Sequence, residues 1–242
     1  KSIHTTVLLN ETIDGLNLKS DSVVLDGTFG GGGHSREICN RYPNVKIIAF
    51  DQDKSVFTKG DKFNNCDISF FNENFRNIDK VLSAQGGSAS DGEKVDSIIF
   101  DLGLSSDQLE SSGRGFSFLK NEPLLMTMKE NPLPEDITAQ DVVNTWEEKN
   151  LADIIYGYGE EKQARRIANE IVAFRKKQKI KTTFDLVKII EDAIPAKFRK
   201  GRLHFATKTF QAIRIAVNDE LGALEEGLQK GFNSLKKEGR MA

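Results

Sequence analysis

Cysteine, histidine, proline and tryptophan are all scarce in this chain of 242 residues. Two cysteines, Cys39 and Cys66, exclude a disulfide-built scaffold and a cysteine zinc module, and they suit a reducing compartment. His4, His34 and His204 lie far apart, with no helical or hairpin pair to hold a metal, so none is expected. No apolar run approaches the roughly 18 residues of a membrane-spanning helix, and a membrane partner is not expected. Net charge is nearly absent as well: 34 basic against 36 acidic residues leave −2. What is present is ordinary for a globular protein, 38% hydrophobic and 29% charged. The length suits one large domain or a domain carrying an insert.

The small net charge hides an asymmetry. From Glu160 to Arg214 there are 15 basic and 6 acidic residues, a balance of +9, so the remainder carries 19 − 30 = −11. Such a split suggests an acidic partner, most commonly nucleic acid. The plainer alternative is a helical segment with solvated Lys and Arg.

Four short apolar runs read as strands: Val23 to Leu25, Val45 to Phe50, Ile68 to Phe71 and Asp96 to Phe100. Their continuous apolar character suits strands buried on both faces of a parallel sheet. Helical stretches at 34–42 and 54–63 separate the first three strands, and a loop is expected over 85–94 before the fourth. This alternation predicts an α/β fold with a doubly wound, mostly parallel sheet. After Asp101 it stops. Helices are expected from Thr138, with Asp141 completing a capping box, over 160–177, and from Thr183. A long helix is expected over 206–237. Its apolar stripe (Phe210, Ile213, Val217, Leu221, Leu224, Leu228, Phe232, Leu235) predicts core packing. A polar stripe including Arg214 and Asn218 is expected to line a cleft. The domain reading is 1–107 for the first part of the α/β domain, 108–205 for an all-helical insert and 206–242 for the return. The chain begins at Lys1, which suggests a trimmed start. Gly239 to Ala242 read as the entry to a buried strand, which suggests truncation before the last strands.

The most informative segment is Asp26-Gly27-Thr28-Phe29-Gly30-Gly31-Gly32-Gly33-His34-Ser35, between a strand and a helix. Glycine admits positive φ and close backbone approach to a ligand, and a helix start offers free N–H groups. A phosphate-binding nucleotidase loop needs a lysine that is missing in both registers. A dinucleotide loop fits Gly30, Gly32 and Gly33 only in part. The form Asp26-x-Thr28-x-Gly30-x-Gly32 resembles the first motif of the S-adenosylmethionine methyltransferases. Asp51 closes the second strand, where a carboxylate can accept from two vicinal hydroxyls. Asp101, at the end of the fourth, would face the reactive end of a bound ligand. The Asn/Asp-Pro-Pro-Tyr motif of many amine methyltransferases is absent there.

Together these segments resemble one family, the small-subunit (16S) ribosomal RNA cytosine-N4 methyltransferases, known as RsmH or MraW. The resemblance covers nearly the whole chain in order. It rests on His4 to Leu9, DGTFGGGGHS (26–35), FDQD (50–53), DLGLSSDQL (101–109), RGFSF (114–118), YGEEKQARRIA (158–168) and ATKTFQAIRIAVNDEL (206–221). It implies a class I, Rossmann-like methyltransferase fold with an inserted helical substrate domain. The implied activity is S-adenosylmethionine-dependent methylation of N4 of a cytidine in the decoding region. Implied cofactor contacts are Gly32, Gly33, His34, Asp51, Phe75, Asp101 and Gln108, to which the glycine motif adds Gly30. Where the family has Gly-Pro-Leu-Asp-Met-Arg-Met-Asp, this chain has Glu122 to Lys129 with both acids and the arginine replaced.

Asp101 is the expected catalytic acceptor for an N4–H bond. Arg165, Arg166, Lys200, Arg202 and Arg214 are expected on phosphates of small-subunit ribosomal RNA, and a homodimer is a further expected assembly. The expected location is cytoplasmic in a bacterium, or the mitochondrial matrix in a eukaryote. Two alternatives stand beside this: an NAD-dependent oxidoreductase, and a non-catalytic ribosome-assembly factor that binds RNA.

Overall fold

The structure, a computed structural model, describes residues 6–59, 63, 66–86 and 94–242. Most of the loop expected at 85–94 lies outside these residues, and so does the end of the helix expected over 54–63. The chain divides into two units, residues 1–105 with 221–242, and residues 106–220.

The first unit runs α1 (Leu9–Leu16), β1 (Val23–Asp26), α2 (Gly33–Arg41), β2 (Lys46–Phe50), α3 (Ser55–Lys59), β3 (Asp67–Phe71), a 3-10 turn (Phe75–Asn77), α4 (Ile78–Gly86) and β4 (Val95–Ile99). All four expected strands form. The sheet order is β3-β2-β1-β4-β5, every pairing parallel. Side chains alternate across it, because successive strand residues point to opposite faces. Val24, Ile47, Ala49 and Ile99 join Ile13, Leu16 and Ile38 in one core cluster. Leu25, Ile48, Phe50 and Ile98 join Ile78 and Leu82 in the other. Helices thus cover both faces, as a buried parallel sheet requires.

The second unit is helical: α5 (Ser106–Glu110), α6 (Ala139–Thr145), α7 (Glu148–Gly157), α8 (Ala164–Arg175), α9 (Thr183–Ala193), α10 (Ala196–Arg199) and α11 (Thr207–Asn218). Capping boxes start α6 (Thr138 with Asp141) and α9 (Thr182 with Asp185). Leu151, Ile155, Ile167, Ile171, Leu186, Ile190 and Ile213 are fully buried. The divergent segment at 122–129 is structural here. Leu124 and Met126 are buried, and the Asn218 amide clamps its backbone, donating to Met126 O at 2.8 Å and accepting from Met128 N at 2.7 Å.

Several expectations need correction. The long helix is two, α11 and α12 (Glu220–Ser234), parted at Asp219, whose φ of 46° is left-handed. The return to the first unit accordingly falls at 221 rather than 206. After α12 the chain forms β5 (Leu235–Met241), parallel to β4, so a C-terminal strand is present where only its entry was expected. The apolar stripe also divides. Phe210 and Ile213 are buried, but Leu221, Leu228 and Phe232 are exposed, Phe232 at 73%. On α12 the small residues face inward: a Cβ on Gly227 would lie 2.5 Å from the Phe75 ring, and one on Gly231 3.2 Å from Ile98. Finally, Cys39 on α2 and Cys66 before β3, far apart in sequence, are brought together as a pair.

Candidate functional site

The strand order reverses between β1 and β4, and ligands of open α/β sheets sit beyond the carboxyl ends of strands at such a switch point. Asp26 ends β1, Asp51 follows β2, and Asp101 lies just past β4. The β1–α2 turn is drawn over these ends by backbone bonds, Gly27 N to Ile99 O and Phe29 N to Phe50 O, both 2.9 Å. Gly30 (φ +52°) and Gly32 (φ +70°) adopt left-handed backbone, which a side chain would strain. A Cβ on Gly33 would collide with Thr6 Oγ1.

The carboxylates tie the turn together. Asp51 Oδ2 accepts from Gly30 N and Oδ1 from Asp53 N, each at 2.8 Å. Asp26 accepts from Ser35 Oγ at 2.6 Å and from Thr28 N at 3.2 Å. Burial pushes the Asp26 carboxyl up to about 6, against the pull of the Ser35 and Thr28 hydrogen bonds. Burial likewise raises Asp51 to about 6, opposed by the Asp53 and Gly30 amides. Thr28 and Ser35 were inside the motif but drew no role from sequence. Thr28 Oγ1 accepts from Asp101 N at 2.6 Å and so joins the glycine turn to the β4 end. Ser and Thr are too common for that bond to show in one sequence.

His34 is 7% exposed, and its Nε2 is buried without a hydrogen-bond partner. Its Nδ1 stands 3.9 Å from Asp101 Oδ2. Burial lowers its pKa, and the Asp101 charge partly restores it. The Asp101 side chain is about half exposed. The Phe75 ring lies 5.1 Å from the Phe100 ring and close to Gly227, contacts that account for it as a packing residue. Gly30, Gly32, Gly33, His34, Asp51 and Asp101 therefore gather at one end of the sheet, with Phe75 packed beside it.

The remaining expected residues belong to the second unit. Gln108 is buried and its Nε2 donates to Met128 Sδ at 3.4 Å. Arg165 and Arg166 are exposed on α8, and Lys200 and Arg202 on the loop after α10. Arg214 is different: it makes a bidentate pair with Glu220 at 2.7 and 2.8 Å. Two of its five N–H donors are thereby spent and its charge is balanced within the unit, which makes Arg214 the weakest of the five candidates for a phosphate contact.

The MraW methylase family model matches residues 1–242. The chain belongs to that family. The ribosomal RNA small subunit methyltransferase H of Clostridium botulinum (strain Kyoto / Type A2) is 45% identical over 99% of this chain and 75% of its own length. The protein of the same name from Limosilactobacillus fermentum is 42% identical over the same shares. Among solved structures, coclaurine N-methyltransferase aligns with 99% of this chain and 73% of its own at 12% identity and a TM-score of 0.30, too low to bear on the fold. Membership makes this a methylase with a class I methyltransferase fold and removes the support for hydride transfer to NAD.

Proposed function

We propose that the chain transfers a methyl group from S-adenosylmethionine to N4 of a cytidine in the decoding region of small-subunit ribosomal RNA. The observation that carries this reading is the glycine turn at the β1/β4 switch point, ringed by Asp26, Asp51 and Asp101, in a methylase family chain. The names of the relatives support the RNA, since both are called ribosomal RNA small subunit methyltransferases. The cytosine-N4 specificity comes from the motif resemblance.

The residues fit the cofactor. Left-handed Gly30 and Gly32 leave backbone free of side chains, and the buried unpartnered Nε2 of His34 offers an unmet polar group. Asp51 keeps acceptor capacity for vicinal hydroxyls beyond its two backbone bonds. When bound, S-adenosylmethionine supplies a methyl group already activated on a sulfonium. The harder requirement is the nucleophile, because the cytosine N4 lone pair is conjugated into the ring. Asp101, exposed and held at its backbone by Thr28, accepts an N4–H hydrogen bond. Its negative charge stabilises the positive charge that develops on nitrogen. Arg165, Arg166, Lys200 and Arg202 hold phosphates, and the base leaves its stack to react.

Labelled S-adenosylmethionine incubated with undermethylated small subunits, followed by mass spectrometry of the nucleosides, tests the reading. N4-methylated cytidine is expected. RNA binding without methyl transfer would instead make the chain an assembly factor. Asp101→Asn should lose turnover with near-normal cofactor affinity. Loss of cofactor binding alone would make Asp101 a binding residue.

A further inference from the structure

The loop joining α9 to α11 within the second unit carries two features that the phosphate-binding role does not use. Phe198, on α10, is 54% exposed, although burying a phenyl ring is among the more favourable changes folding can make. Lys197 Nζ sits 4.9 Å from the centroid of its ring. Six residues on, His204 is exposed and lies stacked 4.5 Å from the Phe118 ring, 10° from parallel, and 4.2 Å from the Phe205 ring.

The loop is held in place rather than loose. Arg199 Nε donates to Ile194 O at 2.8 Å, and Arg199 pairs with Glu191 at 3.4 Å. At the other end Ala206 N donates to His204 Nδ1 at 3.2 Å and Thr207 N to His204 O at 3.0 Å. The fold therefore presents the apolar ring of Phe198 to water on a fixed support. Its surroundings choose the partner. Pro195 to Thr207 contains Lys197, Arg199, Lys200 and Arg202 and no acidic residue. Lys200 and Arg202 have no carboxylate within ion-pair distance among the described residues. Aromatic rings interleaved with cations suit a flexible polyanion with flat faces.

We propose that Phe198 forms a stacking platform for an unpaired base of single-stranded RNA, with Lys200 and Arg202 on the flanking phosphates. The inference rests on the RNA reading above and adds to it a second contact, remote in sequence from the glycine turn and indifferent to base identity. Every base has a π face, so the platform holds the strand without specifying it.

Fluorescence anisotropy of the 242-residue chain with a labelled single-stranded 12-nucleotide RNA tests it, with far-ultraviolet circular dichroism confirming that each variant is folded. Phe198→Ala should weaken binding about tenfold while leaving the slope of log affinity against log salt unchanged. Phe198→Trp should restore affinity. Lys200→Ala should instead lower both affinity and slope, by about one unit of slope. An unchanged affinity in Phe198→Ala, with the wild type binding normally, overturns the platform alone and leaves the ring to a protein contact. A Phe198→Ala loss that Trp does not restore also overturns it. No RNA binding by the wild type overturns the RNA reading and the platform with it.

Discussion

Asp26 and Asp51 are the residues on which pH acts most directly. Both carboxyls are raised to about 6 from an ordinary 3.8, chiefly by burial. The folded protein therefore holds these protons more tightly than the unfolded chain. The stabilisation this brings is complete below about pH 3.8 and is lost as pH rises through about 6. For the fully buried Asp26, a rise from 3.8 to about 6 is worth at most ~3 kcal/mol at neutral pH. Asp26→Asn should thus gain stability relative to wild type as pH rises from 4.5 to 7, read as a widening difference in Tm. A difference constant with pH would show that Asp26 stays ionised throughout. Asp51 gives a binding counterpart. If its carboxylate holds vicinal hydroxyls, cofactor affinity falls as pH drops through about 6. Asp51→Asn should then lower affinity roughly 10–100-fold, as loss of a charge-assisted hydrogen bond does, and flatten that pH dependence in calorimetry. The acids were legible in the sequence because each closes an apolar run. Thr28 and Ser35, which hold Asp101 and Asp26, were not, because nothing in a hydroxyl's sequence position reveals its partner.

At the scale of elements, α12 separates pattern from burial. Its leucines and Phe232 repeat at helical spacing, yet Gly227 and Gly231 are the residues turned inward, the first onto the Phe75 ring and the second onto Ile98 of the sheet. Close helix–sheet approach needs small side chains, so the larger residues are displaced outward. Phe210→Ala, in α11, should cost about 3–5 kcal/mol in denaturant unfolding. Phe232→Ala should change stability by less than about 0.5 kcal/mol. Equal losses would restore the single-stripe reading. Gly227→Ala sets two effects in opposition. Helix propensity favours alanine by about 1 kcal/mol, but its Cβ would lie 2.5 Å from the packed Phe75 ring. Overpacking costs typically about 1–3 kcal/mol, so a net loss of stability is expected. The four central strands were legible in advance, since a strand buried on both faces must be apolar throughout. The break at Asp219 was not, because a left-handed residue between two helical patterns leaves the pattern nearly intact.

For the whole molecule, charge is the decisive property. The +9 segment and its −11 remainder nearly cancel in sum, but the proposed RNA contact would fall on the segment and not the sum. Six phosphate contacts would weaken binding about a thousandfold between 50 and 200 mM salt. Small-subunit RNA affinity measured over that range should fall steeply, and a flat response would remove the electrostatic reading. Arg214 shows where counting fails. It contributes to the +9, yet Glu220 neutralises it within the same unit.

Local rules were enough to specify the parallel sheet, the glycine turn, the carboxylates at three strand ends and the capped helices of the second unit. Each follows from steric freedom, strand burial or backbone hydrogen bonding within a few residues. Tertiary structure alone decided which face of α12 is buried, that Arg214 is paired, that Cys39 meets Cys66, and that the 122–129 segment is clamped by Asn218. Those outcomes depend on groups far apart in the chain arriving at the same point. The energy of such a contact belongs to the pair, and no stretch of sequence containing only one partner carries it.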